Sequence, residues 1–219
     1  MNFEKVFEYQ SLLVNGVLVT VGFTLASLFF GFLISIPLAI IKESKLKPVR
    51  FFGYLYTDIF RGIPALVQLY LVYFALPQIV PITLTVNQAA ILALSLNQAA
   101  YMSEAIRGGI ESIPVGQREA AKALGISYLR TMFGIVLPQA FKNVLPALAN
   151  ETINLLKGTS LVSIIGAIDL MRVGRQIMAD TYLTAEPLLV VALIYYIMEK
   201  LLSFMTGRLE KRMRVSDRR

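Results

Sequence analysis

The stretch YQSLLVNGVLVTVGFTLASLFFGFLISIPLAII, residues 9–41, carries no charged side chain over 33 positions. A helix needs roughly 20 apolar residues to cross about 30 Å of hydrocarbon, so this segment predicts a first membrane span over about 12–41. The composition agrees: 56% of the 219 residues are apolar and 16% are charged, unlike an ordinary soluble domain. From Gly62 to Ser103 another 42 positions lack charge, which is room for two crossings, about 55–80 and 88–107. Pro77, Pro81 and the polar run 83–88 mark the turn between them. A fourth span, about 140–157, is interrupted by Lys142, Pro146 and Glu151, and a fifth runs over about 187–206 with Glu199 and Lys200 snorkelling at its inner end. The expectation is an all-α integral membrane protein of five transmembrane helices, one domain over 1–219.

Charge sets the orientation. Lys42 to Arg50 holds four basic residues against one acid, whereas the turn 77–88 holds no Lys or Arg, so the former is cytoplasmic by the positive-inside rule. Counted over the loops, 15 Lys and Arg lie inside (42–50, 107–130, 200–219) and three outside (Lys5, Arg172, Arg175). The N-terminus is therefore outside. The basic excess is a topology signal rather than a nucleic-acid footprint, and the tail Arg208 to Arg219 is also suited to anionic lipid. The first apolar run is about twice the length of a signal h-region, so it is expected to stay in the protein. With no Cys and no His, disulfides, thiolate nucleophiles, imidazole bases and Cys or His metal sites are excluded. Five spans enclose a polar pathway poorly and cannot form a simple inverted repeat, so a two-fold dimer is the economical assembly.

The loop 107–130 contains Ser112-Ile113-Pro114 followed by Val115 to Gly125. Ser112 is placed to cap a helix, Pro114 suits its first turn, and Gly125 suits the left-handed position after its end, which predicts a helix over about 114–125. Glu119 and Lys122 stand at i,i+3. Ala120, Ala121, Ala123 and Leu124 form a weakly apolar surface, and composition leaves two uses for it: a groove on another protein, or the headgroup layer.

Here the chain resembles a known family. Glu119-Ala120-Ala121, Gly125, Ile135 and Leu137-Pro138 reproduce the cytoplasmic loop motif of binding-protein-dependent ABC importer permeases. Arg61-Gly62-Ile63-Pro64 leading into Val67-Gln68, and Lys157-Gly158-Thr159-Ser160-Leu161, are similar to segments of the polar amino acid subfamily, with Ile63 where that subfamily usually has Thr or Ser. The resemblance implies a coupling helix between helices 3 and 4, with Glu119, Ala120, Ala121, Leu124 and Gly125 in ATPase coupling. It also implies a second permease subunit, two ATP-binding subunits that hold the ATP and Mg²⁺, an extracellular or periplasmic amino-acid-binding protein, and a bacterial inner membrane location. The chain has no G-x-x-x-x-G-K-[ST] phosphate cradle of its own.

Ionisable and polar side chains inside spans are costly and face protein, a partner charge or a water-filled path. Glu151 stands about 16 Å into the fourth span if that begins near Ala140, with Asn154 at i,i+3 and no cation well placed on its own helix. Asn97, Gln98 and Tyr101 lie within the third span, and Asp58, Arg61 and Gln68 near the start of the second. Two roles are open to Asn97, Gln98 and Gln68: cross-linking helices, or touching substrate. Asp58 with Arg61, and Glu104 with Arg107, read as ion pairs. The resemblance implies an importer of polar amino acids, and Glu151, which would attract a cationic side chain or any α-amino group, favours cationic ones, with Glu151, Asn154, Asn97, Gln98, Tyr101, Gln68 and Asp58 expected along the pathway. An ion channel or secondary transporter is the competing reading, and the loop motif argues against it.

Overall fold

The computed structural model describes residues 2–215, all of whose regular structure is helical; part of the basic tail, 216–219, lies outside the described residues. After one turn at Glu4–Phe7 come α1 (Gln10–Lys42), α2 (Lys47–Gly62), α3 (Ala65–Ile79), α4 (Val86–Glu111), α5 (Val115–Ala123), α6 (Tyr128–Ile165), α7 (Leu170–Thr181) and α8 (Ala185–Val215). Two π turns, Leu71–Ala75 in α3 and Met132–Val136 in α6, end just before Pro77 and Pro138. Proline cannot donate to the carbonyl four residues back and clashes with it, and a widened turn moves that carbonyl aside.

α1 and α4 pair along the centre of the bundle. A Cβ on Gly31 of α1 would stand 3.0 Å from Gln98 Cβ and 3.2 Å from the Ser95 carbonyl of α4, so the helices meet at backbone distance, as small residues allow in membranes. α4 starts at a capping box: Gln88 N–H donates to Thr85 Oγ1 (3.3 Å) while Thr85 N–H donates to Gln88 Oε1 (2.9 Å). Ala89, Ala90, Ala93, Ala99 and Ala100 are buried in its body. α1, α6 and α8 are long and apolar enough to cross a membrane by composition alone, and α2 with α3 qualifies as a fourth, bent crossing. α4, 26 residues and thus about 39 Å long, has the length without the hydropathy because its neighbours are helices rather than lipid.

The stretch 55–80, expected as one span, comprises the end of α2 and all of α3, which meet at 102°. Pro64 has no N–H and its ring drives Ile63 out of the helical region, to φ −98° and ψ 133°. The break strands carbonyls at the end of α2, and inside a membrane they need protein donors. Gln68 Nε2 supplies them, donating to Phe60 O (2.7 Å) and Ile63 O (2.8 Å). Asn97 Nδ2 of α4 donates to Phe60 O and to Gln68 Oε1, both at 3.1 Å, which ties the break to the central helix.

Lys42 at the end of α1 meets Glu104 and Ser103 near the end of α4, so the 43–46 turn and α5 lie at one end of the bundle. At the other, Asn2 N–H donates to Glu186 Oε1 at the start of α8 (2.9 Å). Replacing Gln68 by Leu leaves the Ile63 carbonyl without a donor and the Phe60 carbonyl with Asn97 alone; unfolding of the detergent-solubilised protein should show a loss of about 1–3 kcal/mol, larger than for Gln78→Leu, whose amide serves only its own exposed turn.

Candidate functional site

α2 stops at Gly62, so Arg61 occupies its last turn, where a cation complements the helix end. Its guanidinium lies over the Tyr101 ring of α4, 5.4 Å from the centroid. Glu151 of α6 is half-buried and makes no ion pair with Arg61 among the described residues, although Arg61 of α2 is close enough to act on its charge. The expected Asp58–Arg61 ion pair does not form among the described residues, because Arg61 turns to Tyr101 and Asp58 remains exposed. Both line a cavity of about 660 Å³ with Thr57, Gly62, Tyr101 and Glu104.

The other pathway candidates divide. Gln68 and Asn97 place their amide groups at the α2–α3 break. Gln98 is 3% exposed, faces α1, and its Nε2 has no hydrogen-bond partner among the described residues. Glu104 and Arg107 pair as expected (2.9 Å), within a longer chain that runs from Lys42 to Glu104 (2.6 Å) and from Arg107 to Glu111 (2.6 Å). Lys42, counted from sequence as part of a basic loop, has a fully buried side chain that also donates to Ser103 Oγ at 2.8 Å.

One feature escaped the sequence reading although its spacing was visible. Asn143, Ala147, Asn150, Asn154 and Lys157 are all exposed on α6, separated by four, three, four and three residues, hence on a single face. A polar stripe on a spanning helix does not face hydrocarbon cheaply, so this face belongs to water or to another protein surface. Glu151 borders it.

At the 43–46 end, α5 closes with two hydrogen bonds, Gly125 N–H to Lys122 O (3.0 Å) and Ile126 N–H to Ala121 O (2.9 Å), with Gly125 at φ +71°. This is the left-handed termination that the glycine predicted. The start differs: Pro114 is itself the cap residue, and Ser112 ends α4 instead, donating to Gly109 O and accepting from Asn143 Nδ2 (2.9 Å). No ion pair joins Glu119 and Lys122 among the described residues. α5 is held to α6 by a reciprocal amide pair, Gln117 with Gln139 (3.0 and 2.7 Å), and to α4 by Arg118 donating to Ile110 O (3.2 Å). Ala121, expected on the outward surface, faces inward and is 2% exposed; its small side chain lets α5 sit close. Val115, Glu119, Ala120, Ala123 and Leu124 are outward.

The structure is thus a bundle of helices able to cross a membrane, with one bent pair and a short helix at one end. The chain belongs to the family described as binding-protein-dependent transport system inner membrane component, whose pattern it matches over residues 31–215. It is 40% identical over 217 residues to the arginine transport system permease protein of Bacillus subtilis, covering 99% of each chain. It is 42% identical over 204 residues (93% of this chain, 94% of the other) to a Rickettsia bellii protein provisionally named a glutamine transport system permease. A crystal structure of an amino acid ABC transporter with histidines contains a chain that superposes with a TM-score of 0.92 at 36% identity, over 97% of this chain and 99% of that one. The protein is thus a permease component of an amino acid ABC importer.

Valine at position 125 would force a branched side chain into left-handed backbone, a strain of about 1 kcal/mol or more, whereas Asn tolerates that region. Gly125→Val should lower the amount of ATPase subunit that co-purifies with the protein, and Gly125→Asn should largely preserve it.

Proposed function

We propose that this chain is the five-span subunit of a bacterial inner-membrane importer that carries amino acids, cationic ones preferred, by alternating access. In this reading the N-terminus and α7 are outside, and two copies related by a two-fold axis form the pathway. α5 is the coupling helix that seats in an ATP-binding subunit, which holds the ATP and Mg²⁺, and a soluble binding protein delivers substrate.

The observation that carries the reading is an acid and a base within the bundle: Glu151, bordering the exposed polar stripe, and Arg61, held over Tyr101. A zwitterion needs one acceptor for its ammonium and one donor for its carboxylate, and these two side chains supply both. Asp58, which has no ion partner among the described residues, lines a cavity together with Arg61. Glu104 is already engaged by Lys42 and Arg107. Two available carboxylates against one guanidinium leave a local excess of negative charge, which favours a cationic side chain. The same excess accommodates a neutral amino acid with less advantage. The exposed polar face supports a second copy opposite, since a single chain would present Asn150, Asn154 and Lys157 to lipid.

The central test is Glu151→Gln in the complete transporter reconstituted in proteoliposomes. Loss of one charge-assisted hydrogen bond should weaken substrate-stimulated uptake by about 1.5–3 kcal/mol, or tenfold to over a hundredfold. Arginine should suffer more than glutamine if the carboxylate holds the side chain, and both equally if it holds the α-amino group. Unchanged uptake of both would remove Glu151 from the pathway. The isolated chain should also show no saturable binding of micromolar ATP in a nucleotide titration; binding there would overturn the division of labour between subunits.

A further inference from the structure

Arg118 and Lys122 of α5 stand four residues apart beside the buried Ala121, hence on the flank that turns toward the bundle rather than outward with Glu119, Ala120 and Ala123. With Ile126, Tyr128, Met132 and Val136 they line a cavity of about 360 Å³ between α5 and the first turns of α6. It shares no lining residue with the cavity of Arg61 and Asp58, and no carboxylate lines it. Neither cation forms an ion pair among the described residues. Arg118 donates from Nη2 to Ile110 O (3.2 Å), while its buried Nε has no acceptor among those residues. A guanidinium with donors to spare and a lysine on the same flank suit an oxyanion such as a phosphate.

The rest of the wall selects the kind of anion. Beyond the two cations and Thr131 it is built from Ile126, Tyr128, Met132 and Val136. Tyr128, Leu129 and Phe133 on the adjoining turns of α6 are 72%, 65% and 69% exposed. A soluble anion would leave this apolar surface in water, whereas an anion attached to hydrocarbon covers it. The place also fits, because α6 is a candidate membrane span from Tyr128 onward, and tyrosines gather where helices enter the headgroup layer. Arg130, exposed on the same turn, adds a third cation, and basic pockets between helices at the cytoplasmic boundary draw anionic headgroups. The ATP-binding subunit fits less well, since the surface of α5 that faces away from the bundle lies on the other side of the helix.

We infer that the cleft between α5 and α6 binds one anionic phospholipid of the inner leaflet, its phosphate held by Arg118 and Lys122 and one acyl chain leaving along Tyr128, Leu129 and Phe133. This rests on the reading above that α5 is cytoplasmic. The chain contains no Trp, so Phe133→Trp places a single fluorophore beside the cavity. The full chain carrying it is placed in phosphatidylcholine nanodiscs that hold an equal fraction of either brominated phosphatidylglycerol or brominated phosphatidylcholine. Quenching should show phosphatidylglycerol preferred about tenfold. Lys122→Gln, which removes no ion pair, should cut that preference about threefold or more, and R118Q/K122Q should abolish it. Equal quenching by the two lipids, or an undiminished preference in the double variant, would overturn the proposal. So would displacement of the lipid by glycerol 3-phosphate, which would assign the cavity to a soluble anion, or loss of the preference on adding the ATP-binding subunit, which would assign it to that protein. The orientation is read separately in vesicles bearing the chain alone. Leu124→Cys, in a chain without cysteine, should react with a membrane-impermeant maleimide only when the vesicles are inverted; labelling in right-side-out vesicles would sink the cytoplasmic placement of α5 whatever the lipids do.

Discussion

The Gln68 amide is the interaction on which the rest of the arrangement depends. Two backbone oxygens, of Phe60 and Ile63, are released by the proline break, and both accept from its single nitrogen. In hydrocarbon an unbonded carbonyl costs several kcal/mol, so a 102° bend at this depth persists only with donors built in. Asn97 completes the clamp from α4. The bend ends α2 at Gly62, which holds Arg61 over Tyr101 and within electrostatic reach of Glu151. Residues that the sequence marks as polar and intramembrane therefore act in two layers: Gln68 and Asn97 shape the backbone, and the shaped backbone presents the charges.

Charge is handled differently at the two levels of the bundle. Near its α5 end, Lys42, Glu104, Arg107 and Glu111 form a continuous alternating chain that joins α1 to α4. Each member has a partner, and removing Glu104 would leave the buried Lys42 charge uncompensated. Glu151 and Asp58, by contrast, form no ion pair among the described residues. The satisfied network stiffens the ends of two helices.

α5 shows how a short helix with little apolar area becomes a rigid projection. Its nine residues would not hold a helix in isolation. The glycine termination, the Gln117–Gln139 amide pair and Arg118 on the Ile110 carbonyl fix it from three sides. α5 and α6 are thereby tied to each other at Gln139.

Much was legible in the sequence because it depends on local chemistry. A charge-free run long enough to cross the bilayer, the clustering of Lys and Arg on alternate loops, and a glycine at the end of a short helix each report a constraint that acts within a few residues. The family was legible for the same reason, since its loop motif is contiguous. What the tertiary structure alone decided involves partners distant in the chain. Periodicity compares neighbours on one helix and so could not bring Arg61 over Tyr101, a residue of another helix. Ala121 appeared to share an outward surface until the packing of α5 turned it inward. Lys42 read as a loop cation until Glu104 and Ser103 enclosed it. Pro64 was visible from the start, but the size of the bend, and whether the freed carbonyls would find donors, depended on where Gln68 and Asn97 came to lie.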